Sequence, residues 1–117
     1  MTVAAIVLSI PLILEFVFGP LNLWRERTTG NWVRFTGYSV VAAKRYAAPV
    51  KLGCAVLLAT GLAWRPASLA GAVAACAVSA FYLVRLAAPS RRALDGVAAF
   101  TLFGALAAAL LAVQLPR

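Results

Sequence analysis

The chain has 117 residues, 64% of them hydrophobic, and a net charge of +8 from 11 Lys/Arg against 3 Asp/Glu. Soluble domains carry about 45–50% apolar residues, so this composition excludes an ordinary soluble domain. There is no histidine, the commonest general base and metal ligand. Most of the positive charges fall in loops and at helix ends, which matches anionic lipid headgroups and leaves no soluble basic face for nucleic acid.

A membrane span needs roughly 20 mainly apolar residues. Four stretches meet or approach this, at about residues 3–24, 47–63, 67–87 and 96–115. The pattern predicts an all-α, integral membrane four-helix bundle, one transmembrane domain over residues 1–117, with an interfacial segment between helices 1 and 2. The first stretch lacks a basic n-region, is longer than a usual h-region and has a poor small-residue site, so it is expected to stay as a span.

Helix 1 carries Pro11, Glu15, Gly19 and Asn22 at intervals of four, four and three, which puts them on one face. Its prolines remove backbone hydrogen bonds that neighbours must replace. This polar, kinked face is expected to point into the bundle. A carboxyl group in hydrocarbon is costly and a functional candidate by default.

Residues 25–46 mix Arg25, Arg27, Arg34, Lys44 and Arg45 with Trp32, Phe35, Tyr38 and Tyr46. Such content fits a segment at headgroup level. It also fits a lid over an internal cavity. Thr28-Thr29-Gly30-Asn31 reads as a turn, with Asn31 capping a short helix.

Helix 2 holds Lys51 a few residues from its entry, and Lys51 is the natural partner of Glu15. Such a pair serves as a structural register device, adding little net stability. Alternatively, Glu15 handles protons or anchors a ligand, or it turns to water. Lys51 and Arg85 have a simpler alternative in snorkelling to the interface.

The turn Trp64-Arg65-Pro66 folds helix 3 back on helix 2. Cys54 and Cys76 lie at similar depth from it and read as small packing residues, or else as a redox pair; no zinc or iron–sulfur spacing is present. Ala67, Gly71, Ala75 and Ser79 in helix 3, and Gly96, Gly104 and Ala108 in helix 4, predict close helix approach, within the chain or across a homodimer. With Arg91 and Arg92 in the third connection, the cationic excess puts connections 1 and 3 in the cytoplasm and both termini outside.

The stretches Phe18-Gly19-Pro20-Leu21-Asn22-Leu23 and Pro49-Val50-Lys51-Leu52-Gly53-Cys54-Ala55-Val56-Leu57-Leu58-Ala59-Thr60-Gly61-Leu62 resemble the DoxX-like family of small bacterial membrane proteins. Many members carry Lys or Arg late in helix 1 and Glu in helix 2, the reverse of Glu15 and Lys51 here. The resemblance implies a four-helix protein of the bacterial cytoplasmic membrane, often tied to redox or sulfur metabolism. The accompanying expectation is an accessory subunit, working with a partner membrane protein, that binds a lipophilic molecule such as a quinone. Glu15 and Lys51 would lie at the polar end of the pocket, with Asn22, Trp32, Tyr38 and Arg85 as ligand-binding residues.

A fainter resemblance, over Pro11-Leu12-Ile13-Leu14-Glu15-Phe16-Val17-Phe18-Gly19-Pro20, is to small heterodimeric carotenoid cyclase subunits. Their paired acidic motif in a later helix is absent here. The rival expectation is therefore a membrane-embedded cyclase or isomerase of an isoprenoid or polyketide, with Glu15 as general acid or base and Lys51 opposing the effect of burial on it.

Overall fold

A computed structural model describes residues 2–87 and 94–115. The expectations for Arg91 and Arg92 fall outside those residues. The described chain is helical: α1 (Val3–Trp24), α2 (Thr29–Thr36), α3 (Val40–Ala42), a π-helical turn (Ala43–Ala47), α4 (Ala48–Thr60), α5 (Arg65–Leu86) and α6 (Leu94–Gln114). Three of these, α1, α5 and α6, are long and apolar enough to cross a membrane. The expected second span is different. Its α-helical part has 13 residues, short of a crossing by itself, and it continues back through the π turn and α3 as one rod over residues 40–60.

α1 packs on α4, α4 on α5, α5 on α6, and α6 returns to α1. Lipid tails are as apolar as leucine, so in a membrane close van der Waals packing has to hold such helices together. Small residues permit it. Ala67, Gly71, Ala75 and Ser79 are all buried on α5. A Cβ at Gly71 would lie 3.0 Å from the Leu58 backbone nitrogen on α4, and one at Gly104 would lie 3.3 Å from the Ser79 Cβ. The contacts expected of Gly71, Ser79 and Gly104 are thus made within the chain, whereas Ala108 is exposed and Ala107 is the buried residue beside it. Cys54 and Cys76 are free thiols packed in the same shaft.

The buried stripe of α1 is Ala5, Ser9, Leu12, Phe16, Pro20 and Leu23. This lies one position over from the expected inward face. Pro11, Glu15, Gly19 and Asn22 flank the stripe and are half-buried. Leu12 and Phe16 fill the shaft, and the polar residues line a hollow beside it.

α1 ends in a Schellman arrangement. The Glu26 N–H donates to the Leu23 carbonyl (3.1 Å) and the Arg27 N–H to the Asn22 carbonyl (2.9 Å). Glu26 takes the left-handed position (φ 58°) where glycine is usual. Lys44 Nζ donates to Glu26 Oε1 at 2.6 Å and holds that carboxyl below its usual range, through the hydrogen bond first and the charge second.

Chain reversal is completed by α2, which begins at Thr29 after Thr28. Asn31 is therefore inside the helix and does not cap it; its Oδ1 accepts from Arg34 Nη2 at 3.2 Å. Arg34 also pairs with Asp95 at the start of α6 (2.7 Å), both side chains being more than half exposed. Exposed pairs of this kind add little stability.

Candidate functional site

Lys51 is the central residue. α4 buries Ala48, Lys51, Cys54, Ala55 and Leu58, a helical stripe in which lysine occupies a core position. The π turn before it inserts an extra residue and so rotates the face that follows. Lys44 thereby reaches outward to Glu26 while Lys51 turns in. The carbonyl of Lys44, within the widened turn, accepts from the Trp24 indole N–H at 3.1 Å. Only 6% of the Lys51 surface is exposed.

Aromatic rings receive the ammonium. Lys51 Nζ lies 4.6 Å from the Tyr82 ring centre and 5.6 Å from that of Phe100. Those two rings stack at 4.0 Å and 5°. Cation–π attraction of this kind is worth about 2 kcal/mol when desolvated. No hydrogen bond from Lys51 Nζ to another described residue is formed.

Glu15 faces the same space. A Cβ placed on Gly19 would lie 3.6 Å from Glu15 Oε1 and 3.8 Å from Lys51 Nζ. Among the described residues the direct ion pairs, at 4.0 Å or less, are Arg34–Asp95 and Lys44–Glu26. The carboxyl and the ammonium are therefore near neighbours across a gap, not a contact pair. The bare backbone of Gly19 forms the floor of that gap.

Two cavities meet here. The smaller, about 190 Å³, has Glu15, Gly19, Asn22, Lys51, Tyr82 and Phe100 in its wall. The larger, about 310 Å³, is almost wholly apolar and lies between the π turn, α4 and α5, with Tyr46, Val50, Val78 and Phe81 in its wall. Trp32, Lys51 and Tyr82 belong to both walls. Val50 and Tyr46 are 55% and 63% exposed, so the outer edge of the apolar cavity opens on the side of the molecule.

The expected site residues separate into two groups. Glu15, Asn22, Trp32 and Lys51 come together around the cavities. Tyr38 and Arg85 sit outside both and form a clip. Arg85 donates from Nε (2.9 Å) and Nη2 (2.7 Å) to the Thr36 carbonyl at the end of α2, and its guanidinium covers the Tyr38 ring at 4.5 Å. Tyr38 stacks on Phe81. Trp32, buried and edge-on to Tyr82, donates its indole N–H to the Ser39 carbonyl at 2.8 Å. Through these contacts α2 covers the cavities, an arrangement that fits a lid.

Arg85→Met should loosen that cover. Hydrogen bonds from a charged donor contribute about 1.5–3 kcal/mol. Amide hydrogen exchange across residues 32–37 is expected to rise about tenfold or more, with α1 and α6 unchanged. Arg85→Lys should recover part of the protection, because one ammonium cannot reproduce the planar fork. Equal protection in wild type and Arg85→Met would show that the clip holds nothing.

Tyr82 and Phe100 escaped the reading of the sequence. Tyr82 continues the buried α5 series at Ala75, Ser79, Tyr82 and Leu86, and that spacing was the available signal. Phe100 had none, since α6 is apolar all round.

The fold thus defines an all-helical protein with three helices able to cross a membrane and a charged, aromatic-lined hollow at one end. No family model, curated protein or solved structure matches the chain.

Proposed function

We propose that the chain is a small multi-pass membrane protein that binds a lipophilic molecule, such as a quinone, beneath α2, with the polar head at Lys51. In this reading the rod over residues 40–60, roughly 30 Å long at 1.5 Å per residue, is the fourth span of a four-helix bundle. The ring of neighbours α1, α4, α5, α6 supports it. The protein is then a DoxX-like accessory subunit of the bacterial cytoplasmic membrane, with the connection carrying α2 on the cytoplasmic side, both termini outside, and a partner membrane protein to carry out the redox step.

The observation that carries this reading is the ammonium of Lys51. It is buried to 6% exposure, without a protein hydrogen-bond partner among the described residues, at the boundary of an apolar cavity of about 310 Å³. Pockets for small molecules combine apolar walls with a few convergent polar groups. The donor set fits a quinone head, since Lys51 Nζ supplies hydrogen-bond donors and Tyr82 and Trp32 supply flat walls. A bound quinone would contribute two-electron redox chemistry. The chain's own residues bind the head, cover it and keep a carboxyl nearby.

Titration of decylubiquinone into the protein in lipid nanodiscs tests this. Saturable binding above that of empty nanodiscs is expected, weakened about tenfold or more by Lys51→Met, which removes a charged donor. Binding no greater than lipid partitioning would dismiss the quinone as its ligand.

A second reading has an observation of its own. Glu15 accepts no hydrogen bond from the described residues, as a carboxyl kept for a substrate would. Glu15 would then be the general acid or base of an isoprenoid or polyketide cyclase or isomerase.

A further inference from the structure

The gap between Glu15 and Lys51 carries an inference about the ligand's head, and it rests on the pocket reading above. Glu15 Oε1 and Lys51 Nζ each lie less than 4 Å from one point above Gly19, yet they are too far apart for a direct pair. An ionised carboxylate only accepts hydrogen bonds, and an ammonium only donates them. A group seated between the two must accept from Lys51 and donate to Glu15. A carbonyl or an ether oxygen can satisfy only the lysine. An amide separates its donor and acceptor onto two atoms and needs a wider gap. One compact group does both at a single atom, and that is a hydroxyl.

The rest of the wall limits what the hydroxyl is attached to. Val50, Val78 and Phe81 border the larger cavity, whose wall is almost wholly apolar. The stacked Tyr82 and Phe100 rings offer a face for a flat head. Gly19 keeps the gap open: a Cβ there makes ordinary contacts at 3.6–3.8 Å, whereas a longer side chain would occupy the hydroxyl's place.

We infer that the site selects lipophilic molecules by a hydroxyl head, held as donor to Glu15 and acceptor from Lys51, so that a quinol, phenol or long-chain alcohol binds in preference to the matching quinone or ether. A ligand hydroxyl makes both bonds, whereas an ether leaves the one to Glu15 unmade.

Calorimetric titration of the nanodisc-embedded protein tests this with matched probes, against empty nanodiscs. The probes are nonylphenol and its methyl ether, and farnesol and its methyl ether. Nonylphenol is expected to bind about tenfold or more tighter than its ether, as befits a hydrogen bond to a charged group. Glu15→Leu should bring the two to parity by weakening the phenol alone. Gly19→Leu should abolish binding of both. The larger hydroxyl-over-ether ratio, in the aromatic or in the isoprenoid pair, identifies the source of the hydroxyl.

Equal affinities of hydroxyl and ether in the wild type would overturn the hydroxyl assignment and leave the pocket standing; this comparison needs no variant to fold. A preference that survives in Glu15→Leu would also overturn it. No saturable binding of any probe, decylubiquinone included, would remove the pocket itself.

Discussion

Gly61→Ala should destabilise the protein by about 3 kcal/mol, the largest loss expected from adding a single methyl group to it. A Cβ at Gly61 would lie 2.4 Å from the Ser68 Cα and 2.6 Å from the Ser68 backbone nitrogen. The obstacle is backbone, which has no alternative rotamer to adopt. Gly61 follows α4 with ordinary helical torsions (φ −62°, ψ −19°), so the requirement is for space and not for conformational freedom. Either α4 and α5 must part at their turn, or the turn must re-form. Parting them disturbs the whole hairpin, because Gly71 meets Leu58 in the same closely approached interface. Gly53 supplies the control. It has nothing within 4 Å of a built Cβ, so Gly53→Ala should leave stability unchanged or raise it, alanine being the better helix former by about 1 kcal/mol in water. Unfolding by SDS titration distinguishes the two variants. A Gly61→Ala protein as stable as Gly53→Ala would refute the close approach of α4 and α5.

The long apolar helices were legible because length and composition alone define them, and α1 runs over the very residues expected, Val3–Trp24. Glu15 was legible for the same reason, as a charge where none is usual. Rotation about the helix axes was not. Segments made of Ala, Leu, Val and Gly have nearly the same hydrophobicity on every face, so periodicity cannot choose the buried one. Phe16 rather than Glu15 therefore fills the shaft without any sequence signal of it. The π turn was equally hidden, since Ala-Lys-Arg-Tyr-Ala is compatible with an ordinary α-helix. Yet that turn governs where Lys44 and Lys51 point. Lys51 was legible as a charge inside an apolar segment, but its burial in step with Ala48, Ala55 and Leu58 was not. The partners that receive its ammonium, Tyr82 and Phe100, come from distant helices and follow only from the packing.

Lys51→Met should cost about 2 kcal/mol of stability. Methionine keeps most of the stem's volume, so little of the loss reflects a cavity. What disappears is the cation over the Tyr82 and Phe100 rings and the positive charge facing Glu15. Breaking a buried contact pair costs about 3–5 kcal/mol. The smaller figure applies here because Glu15 is half-buried and stands across a gap. Glu15→Gln should also destabilise the protein, by less, since it leaves a buried ammonium without its countercharge. In the double variant neither charge is stranded, so the combined loss should fall short of the sum.

That shortfall is the most direct test of the claim that Glu15 and Lys51 answer one another across a shared hollow. The measurement is a double-mutant cycle of Glu15→Gln and Lys51→Met, followed by SDS-titration unfolding at neutral pH. A coupling energy of about 1 kcal/mol is the predicted result. Losses that add to within about 0.3 kcal/mol, as independent sites do, would contradict it.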